Sequence, residues 1–214
     1  MNRSENSEEA VLLAENLIYE INDKLILNDL SLSVKTGEIL FIEGGNGSGK
    51  TTLLRILCGL IQTDEGKVSW NRESIQDSRI DYYQLLTYIG HATGVKPELT
   101  TLENMKFFSS ISGLPCVDDM QMAIDWVGLR GYENSPGRHL SYGQQRRIAL
   151  SRLMIESSLL WILDEPFSGL DQDMIEKLQQ RFLQHTKEGG LIILTSHQTV
   201  NLDNMNCTRI KLGR

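Results

Sequence analysis

The chain has 214 residues, enough for one good-sized α/β domain or for a domain with a small appended lobe. Its net charge is −7, and its lysines and arginines are scattered, which argues against a nucleic-acid-binding surface and leaves only a local basic patch open. No segment approaches the roughly 20 apolar residues that a membrane-spanning helix needs, so any membrane role is expected to come through a partner.

The cysteines and the N-terminal segment indicate the compartment. Cys58, Cys116 and Cys207 are far apart and odd in number, which suggests neither a metal motif nor a disulfide framework and predicts a reducing environment. The segment from Met1 to Ala10 is polar and acidic, unlike a secretory signal or a transit peptide. We therefore expect a cytosolic chain.

The first predicted elements are β-strands. Residues 11–34 alternate between apolar and polar side chains, which predicts antiparallel strands joined by a turn at Asn22-Asp23. The apolar run Ile39–Ile42 predicts a short buried strand of a parallel sheet.

A glycine-rich loop follows this strand. Residues 44–51 read Gly-Gly-Asn-Gly-Ser-Gly-Lys-Thr and fit the P-loop pattern G-x-x-x-x-G-K-[ST]. Strand, loop and helix together aim backbone N–H groups and a helix N-terminus at a phosphate chain, so a turn that binds nothing is the disfavoured alternative. Lys50 supplies a cation for the β- and γ-phosphates, and Thr51 a hydroxyl for Mg²⁺. The predicted nucleotide-binding residues are Gly44, Gly45, Asn46, Gly47, Ser48, Gly49, Lys50, Thr51 and Thr52.

The remaining elements complete a βαβ pattern. The helix after the P-loop is predicted from leucines at helical spacing, with Gly59 as its stop: Leu53, Leu54, Leu57 and Leu60. Lys67–Trp70 predicts a short strand entered through a turn at residues 64–66, and residues 102–129 are helical in pattern. One apolar face of this helical region comprises Met105, Phe108 and Ile111. From Leu159 onward the order strand, helix, strand predicts a parallel sheet.

Two carboxylates end the apolar strand Leu160–Leu163. Ligands of open α/β sheets bind at the carboxyl ends of their strands, where the P-loop also begins. Asp164 is therefore predicted to hold Mg²⁺, directly or through water, and Glu165 to be the general base that activates the attacking water. The alternative, a solvated acidic turn, is disfavoured because the pair follows a P-loop in a parallel-sheet chain.

Two further features have no certain function when each is read by itself. Ser141 and Gln144 are spaced as a capping box, which predicts the start of a helix whose free N–H groups also suit an anion. His197 follows the apolar strand Leu191–Thr195, and a single histidine at a strand end is usually a structural hydrogen-bonding group.

Together these motifs resemble those of the ATP-binding-cassette ATPases, in the family's order and over residues from about 10 to 200. They are the P-loop, the segment Leu140–Gln144 (the signature segment), Leu160–Glu165, Ser168–Asp171 and His197. The Leu-Ser-x-Gly-Gln signature is not general to P-loop proteins, which makes the resemblance specific. It implies a single α/β domain over residues 1–214: a P-loop NTPase with a parallel-sheet core, an antiparallel β lobe and a helical subdomain at about 95–155.

The resemblance also implies an arrangement of the site, with ATP and Mg²⁺ as cofactors. Two copies form a head-to-tail dimer with two ATP molecules at the interface. Ser141, Gly143 and Gln144 of one copy then bind the γ-phosphate held by the P-loop of the other. Asp171 lies in the loop that crosses the interface, and His197 contacts the γ-phosphate.

Two positions depart from the family pattern. The family normally has a glutamine after the strand near residue 90, where it touches Mg²⁺ and the attacking water; this chain has His91. A neutral imidazole can also bind water or a metal, so His91 is a candidate catalytic residue, although glutamine's role does not carry over. The family often stacks adenine on an aromatic residue ahead of the P-loop. Tyr19 is the nearest candidate, and Ile21 fits the alignment equally well.

A finer resemblance comes from the segment Ile-Gly-His-x-x-Gly-Val-Lys-x-x-Leu-Thr-x-x-Glu-Asn and the ending Gly-Gly-Leu-Ile-Ile-Leu-Thr-Ser-His-Gln. Both resemble the ATPase subunits of cytochrome c maturation systems, of the haem-exporter type. This implies a homodimer at the cytoplasmic face of the bacterial inner membrane, bound to integral membrane subunits through residues 100–135. ATP hydrolysis would drive haem export or release of a haem-loaded partner.

No haem-ligand motif accompanies His139 or His185, so haem is not expected to bind this chain directly. The alternatives are the ATPase of another ABC exporter, in which glutamine is expected at position 91, and a soluble ABC-type assembly ATPase.

Overall fold

The computed structural model describes residues 11–113, 120–197, 200–202 and 204–213. The strands are β1 (Val11–Ile21), β2 (Lys24–Lys35), β3 (Ile39–Gly44), β4 (Glu65–Trp70), β5 (Glu73–Ser74), β6 (Leu86–Ile89), β7 (Leu160–Leu163), β8 (Leu191–Thr195) and β9 (Cys207–Leu212). The helices are α1 (Lys50–Leu57), α2 (Arg79–Tyr83), α3 (Thr101–Ser112), α4 (Met120–Trp126), α5 (Tyr142–Leu150), α6 (Arg152–Ile155) and α7 (Gln172–Lys187).

The smaller sheet is antiparallel, in the strand order β2-β1-β4-β5. The predicted hairpin between β1 and β2 is confirmed, and its two turn residues, Asn22 and Asp23, both have positive φ, at 49° and 59°. Such turns match the twist of the flanking strands, and Asn and Asp tolerate them. The predicted turn at residues 64–66 is wrong in part, because Glu65 already pairs with Ile18 and β4 begins there.

The larger sheet has the strand order β6-β7-β8-β3-β9, and every neighbouring pair is parallel. The predicted parallel sheet with an antiparallel lobe is thus confirmed. Since all five strands run the same way, the segments after β3, β6, β7 and β8 meet at one edge. This edge receives the P-loop, His91, the pair Asp164-Glu165 and His197.

Helices α3 to α6 supply a separate apolar cluster, which includes Met105, Phe108, Ala123, Ile124 and Val127. Two predicted positions are wrong: Ile111 is 62% exposed on α3, and Leu60 is 58% exposed beyond the end of α1. The apolar spacing in the sequence includes both positions, although both side chains are mostly exposed. The predicted helical stretch also spans residues 114–119, including Cys116, which lie outside the described residues. No helix in the described ranges combines the length and apolar character needed to cross a membrane.

A buried histidine joins α7 to the parallel sheet. His185 stacks on Trp161 of β7 with ring centroids 3.6 Å apart and an interplanar angle of 3°. Gly190 makes room for it, since a Cβ there would lie 2.2 Å from His185 Nε2. Burial lowers the pKa of His185 to about 4, and the nearby Arg181 cation acts in the same direction. The neutral imidazole therefore serves as a packing element.

This histidine makes the fold sensitive to acid. In the unfolded chain its pKa is near 6.5, so between pH 6.5 and about 4 the unfolded state binds a proton that the folded state does not. The neutral His185 contributes fully to the free energy of unfolding above this pH window, and the contribution is lost as pH falls through it. At pH 5 the free energy of unfolding is lower by about 2 kcal/mol. Urea unfolding at neutral pH and at pH 5 measures this loss.

The variant His185→Gln is expected to start from a lower stability and to vary less with pH than the wild type. His139→Gln, at an exposed histidine, is the matched control and keeps the wild-type pH dependence. Parallel pH curves for His185→Gln and the wild type would contradict this account.

Candidate active site

A cavity of about 640 Å³ lies at the carboxyl edge of the parallel sheet. Its walls come from segments that are distant in sequence but adjacent at this edge. The structure brings together these residues of the predicted site: Asn46, Gly47, Ser48, Gly49, Lys50, Thr51, Thr52, His91, Asp164, Glu165 and His197. Ile26 and Ser168 also line the cavity.

The P-loop wraps around the ammonium group of its own lysine. Lys50 is buried, and its Nζ donates to the carbonyl oxygens of Gly44 at 2.8 Å and Gly45 at 3.1 Å. Gly49 has a φ of 93°, and a Cβ there would lie 2.8 Å from Ile26 Cγ2, so the loop needs glycine at this point. Ser48 Oγ is buried and has no hydrogen-bond partner within the described structure. A cation, an unsatisfied hydroxyl and a helix N-terminus together fit a phosphate chain.

Asp164 is fixed by two hydroxyl groups. Thr51 Oγ1 donates to Asp164 Oδ2 and Thr195 Oγ1 donates to Oδ1, both at 2.8 Å. Asp164 is 1% exposed, and the Thr51 hydroxyl that donates to it belongs to the P-loop. The parts of the chain that are described contain no group of three or more histidine, cysteine or acidic side chains that could hold a metal. One hydroxyl and one carboxylate still fit Mg²⁺, which usually keeps waters and phosphate oxygens as its other ligands.

Glu165 and His197 contact each other in the wall of the cavity. The backbone N–H of His197 donates to Glu165 Oε2 at 2.9 Å, and the ring nitrogen Nε2 of His197 lies 3.2 Å from Glu165 Oε1. The same ring nitrogen is 3.5 Å from Lys50 Nζ. The imidazole therefore sits between the cation of the P-loop and the Glu165 carboxylate.

His91 and Tyr19 have different outcomes. His91 follows β6, is exposed and lines the cavity. Tyr19 is half-buried on β1, where it pairs with Leu27 and packs against the main apolar core. It is not among the cavity-lining residues, and neither is its alternative Ile21; Ile26 on β2 lines the cavity instead. The adenine contact of Tyr19 stays a prediction.

The signature segment borders a second cavity of about 470 Å³, whose described lining shares no residue with the first. Ser141, Gly143, Gln144 and Asp171 are among its lining residues. The predicted capping box is confirmed: Ser141 Oγ accepts from Gln144 N, and the Gln144 side chain accepts from Ser141 N. One chain therefore does not bring its signature residues to its own P-loop.

Asp171 connects the loop before α7 to α5, the helix that begins in the signature segment. Its carboxylate accepts from Met174 N at 3.0 Å and from the guanidinium of Arg147 at 2.5 Å. The hydrogen bond from the Met174 backbone and the nearby Arg147 cation lower the pKa of Asp171. Gly143 and Gly169 also approach closely, since a Cβ on Gly143 would lie 2.6 Å from the Gly169 oxygen. The signature segment and the Ser168–Asp171 loop thus form one unit.

Sequence reasoning missed two residues near the first cavity. Thr195 bonds both acidic residues: its hydroxyl donates to Asp164 and accepts from Glu165 N. Arg146 is completely buried behind the cavity. Neither position carries a local signal, because both roles depend on how the helix and strands pack.

The model of the ABC transporter family matches residues 27–168 of the chain. The chain belongs to this family. It is 43% identical, over 95% of its length and all of the relative's, to the cytochrome c biogenesis ATP-binding export protein CcmA of Photobacterium profundum. The protein of the same name from Shigella flexneri is 42% identical, over 94% of this chain and 96% of that protein.

Solved structures agree on the fold. An ATP-binding subunit of an ABC transporter superposes with a TM-score of 0.82 at 24% identity, covering 94% of this chain and 85% of that one. A dimeric bacterial ABC transporter cassette gives a TM-score of 0.77 at 21% identity, covering 95% and 97% of the two chains. The chain is therefore an ABC-type ATPase, which binds and hydrolyses ATP.

Proposed function

We propose that this chain is the ATPase subunit of an ABC transport complex for cytochrome c biogenesis. The observation that carries the proposal is the 43% identity, over the full length of the relative, to a protein named for that process. In this complex, ATP binding and hydrolysis are coupled to haem export or to release of a haem-loaded chaperone. The chain lies on the cytoplasmic face of the bacterial inner membrane, held there by integral membrane subunits.

The geometry supports a division of tasks in hydrolysis. The P-loop amides and Lys50 would hold the phosphates, and the side-chain oxygens of Thr51 and Asp164 would hold Mg²⁺. When bound, that ion neutralises charge on the phosphate oxygens. Glu165 orients the attacking water and accepts its proton, while His197 contacts the γ-phosphate. His91 lines the same cavity, and its imidazole can bind water there.

We also propose that the working unit is a head-to-tail homodimer. The support is that the P-loop cavity and the signature cavity are separate within one chain. Ser141, Gly143 and Gln144 have an N-terminal helix end and a capping hydroxyl, which suit an anion supplied by another molecule. Two copies facing each other would complete both ATP sites, and closure would then perform mechanical work on the membrane partners.

Affinity purification in mild detergent tests the proposal. The tagged chain is expected to bring down integral membrane proteins of the cytochrome c pathway from its own bacterium. Strains that lack the chain are expected to lose mature c-type cytochromes, measured by haem staining, and to regain them with the wild-type gene. A tag-only strain is the control. Co-purification with soluble partners alone would instead support an assembly ATPase, and normal cytochromes in the deletion strain would contradict the assigned pathway.

A further inference from the structure

An arginine that forms no ion pair with the described acidic residues lies in the interior behind the active site, where the nearby Asp164 and Glu165 carboxylates favour its charge. Arg146, on α5, is 0% exposed, and burial lowers the pKa of its guanidinium. Its hydrogen bonds go to main-chain carbonyl oxygens, and its Nε has no partner among the described residues. Burying a cation is costly unless opposite charge lies nearby and its N–H groups are hydrogen-bonded. Here two main-chain oxygens accept from the guanidinium, and the charges of Asp164 and Glu165 offset part of the cost of burial.

The guanidinium bridges two strand ends. Nη1 donates to the oxygen of Gly90 at 2.7 Å, and Nη2 donates to the oxygen of Asp164 at 2.6 Å. Gly90 immediately precedes His91, and Asp164 immediately precedes Glu165. One planar group therefore fixes the peptides that lead into both candidate catalytic side chains.

The peptide between Asp164 and Glu165 is held on both sides. Its oxygen accepts from Arg146 at 2.6 Å, and its N–H donates to Thr195 Oγ1 at 3.0 Å. Glu165 has a φ of 52°, in the left-handed region that residues other than glycine seldom adopt. Such a conformation persists only when its surroundings hold it. Arg146 supplies one of the two side-chain bonds that do so.

We propose that Arg146 is a positioning residue for ATP hydrolysis: it aims Glu165 and His91 into the cavity by fixing the peptides before them. It is not a cavity-lining residue and acts only through these two. The inference rests on the role of Glu165 in the proposed function and is independent of the cargo. Lysine cannot replace Arg146, because its single ammonium group lacks the planar guanidinium that reaches two carbonyl oxygens with fixed geometry.

The first test is Arg146→Lys in the full chain, purified with its membrane partners. We expect kcat to fall roughly 10- to 100-fold, as when a reacting group is slightly misplaced, while KM for ATP changes less than about twofold. Arg152→Lys is the matched control. Arg152 also donates to a β6 carbonyl, Tyr88 O at 2.9 Å, but it is not bonded to the Asp164–Glu165 peptide. Its kcat is expected to stay within about twofold of the wild type. Equal effects of the two variants would overturn the proposal.

A second measurement does not depend on turnover. Hydrogen exchange of the full chain is expected to accelerate in Arg146→Lys at residues 86–94 and 160–168. In Arg152→Lys, which disturbs the bond to Tyr88 O on β6, exchange at residues 160–168 is expected to stay at the wild-type rate. Arg146→Gln is measured in parallel, because an uncharged side chain is easier to bury if lysine impairs folding. Unchanged exchange in folded Arg146 variants would overturn the proposal. A wild-type complex without ATPase activity would instead contradict the proposed function, and the exchange result would still decide the role of Arg146.

Discussion

We expect Glu165→Gln to lower ATP turnover by about 10²- to 10⁴-fold while ATP binding is retained. Glutamine has nearly the same shape, and its side-chain oxygen can still accept the hydrogen bond that His197 N–H donates to Glu165 Oε2 at 2.9 Å. It cannot accept a proton from the attacking water, so the chemical step is lost while the phosphate contacts of the P-loop remain. Steady-state hydrolysis by the purified complex and the Kd of a fluorescent ATP analogue measure the two properties separately.

The matched control for Glu165 is Glu156→Gln. Glu156 is also a carboxylate with low exposure, at 3%, but it pairs with Arg152 and Thr87 away from the cavity. Its loss is expected to lower the melting temperature and to leave turnover within a few-fold of the wild type. If Glu165→Gln hydrolyses ATP at a near-normal rate, another group must activate the water, and Glu165 has to be removed from the mechanism.

The second large effect is expected from Lys50→Met, which should weaken ATP binding roughly 10- to 100-fold. That range corresponds to the 1.5–3 kcal/mol of a hydrogen bond to a charged group. The methionine keeps the apolar stem of the side chain but removes the cation that Gly44 and Gly45 now hold. Titration of the full chain with the fluorescent ATP analogue measures the change, and thermal unfolding shows whether the empty P-loop still folds.

Lys211→Met is the control for this variant. Lys211 is an exposed lysine on the neighbouring strand β9, outside the described lining of the 640 Å³ cavity. It changes the net charge by the same amount, so any general electrostatic effect on a triphosphate appears in both variants. Equal affinities of Lys50→Met and the wild type would mean that the P-loop amides alone hold the phosphates.

Local chemistry explains which parts of the molecule could be predicted from sequence. The P-loop, the hairpin turn at Asn22-Asp23 and the capping box at Ser141 each depend on residues within a few positions of one another. Their residue types are therefore sufficient to predict these local structures. The edge of the parallel sheet that carries the site could also be predicted. Asp164 and the P-loop both follow short apolar strands, and parallel strands end at one side of a sheet.

The remaining features depend on contacts that no short window contains. Ile111 continues the apolar spacing of α3 but is 62% exposed, so periodicity alone misplaced it. Tyr19 pairs with Leu27 in the β1–β2 register and packs against the apolar core, neither of which its place ahead of the P-loop indicates. Arg146 and Thr195 acquire their roles only when α5 and β8 pack behind the Asp164–Glu165 peptide.

The separation of the two cavities within one chain has a genetic consequence. In a head-to-tail dimer, a copy with a damaged signature segment spoils the ATP site whose P-loop belongs to its healthy partner. A plasmid that carries such an allele should therefore be dominant over the chromosomal gene. An allele that only prevents the chain from folding should be recessive, because it never enters a dimer.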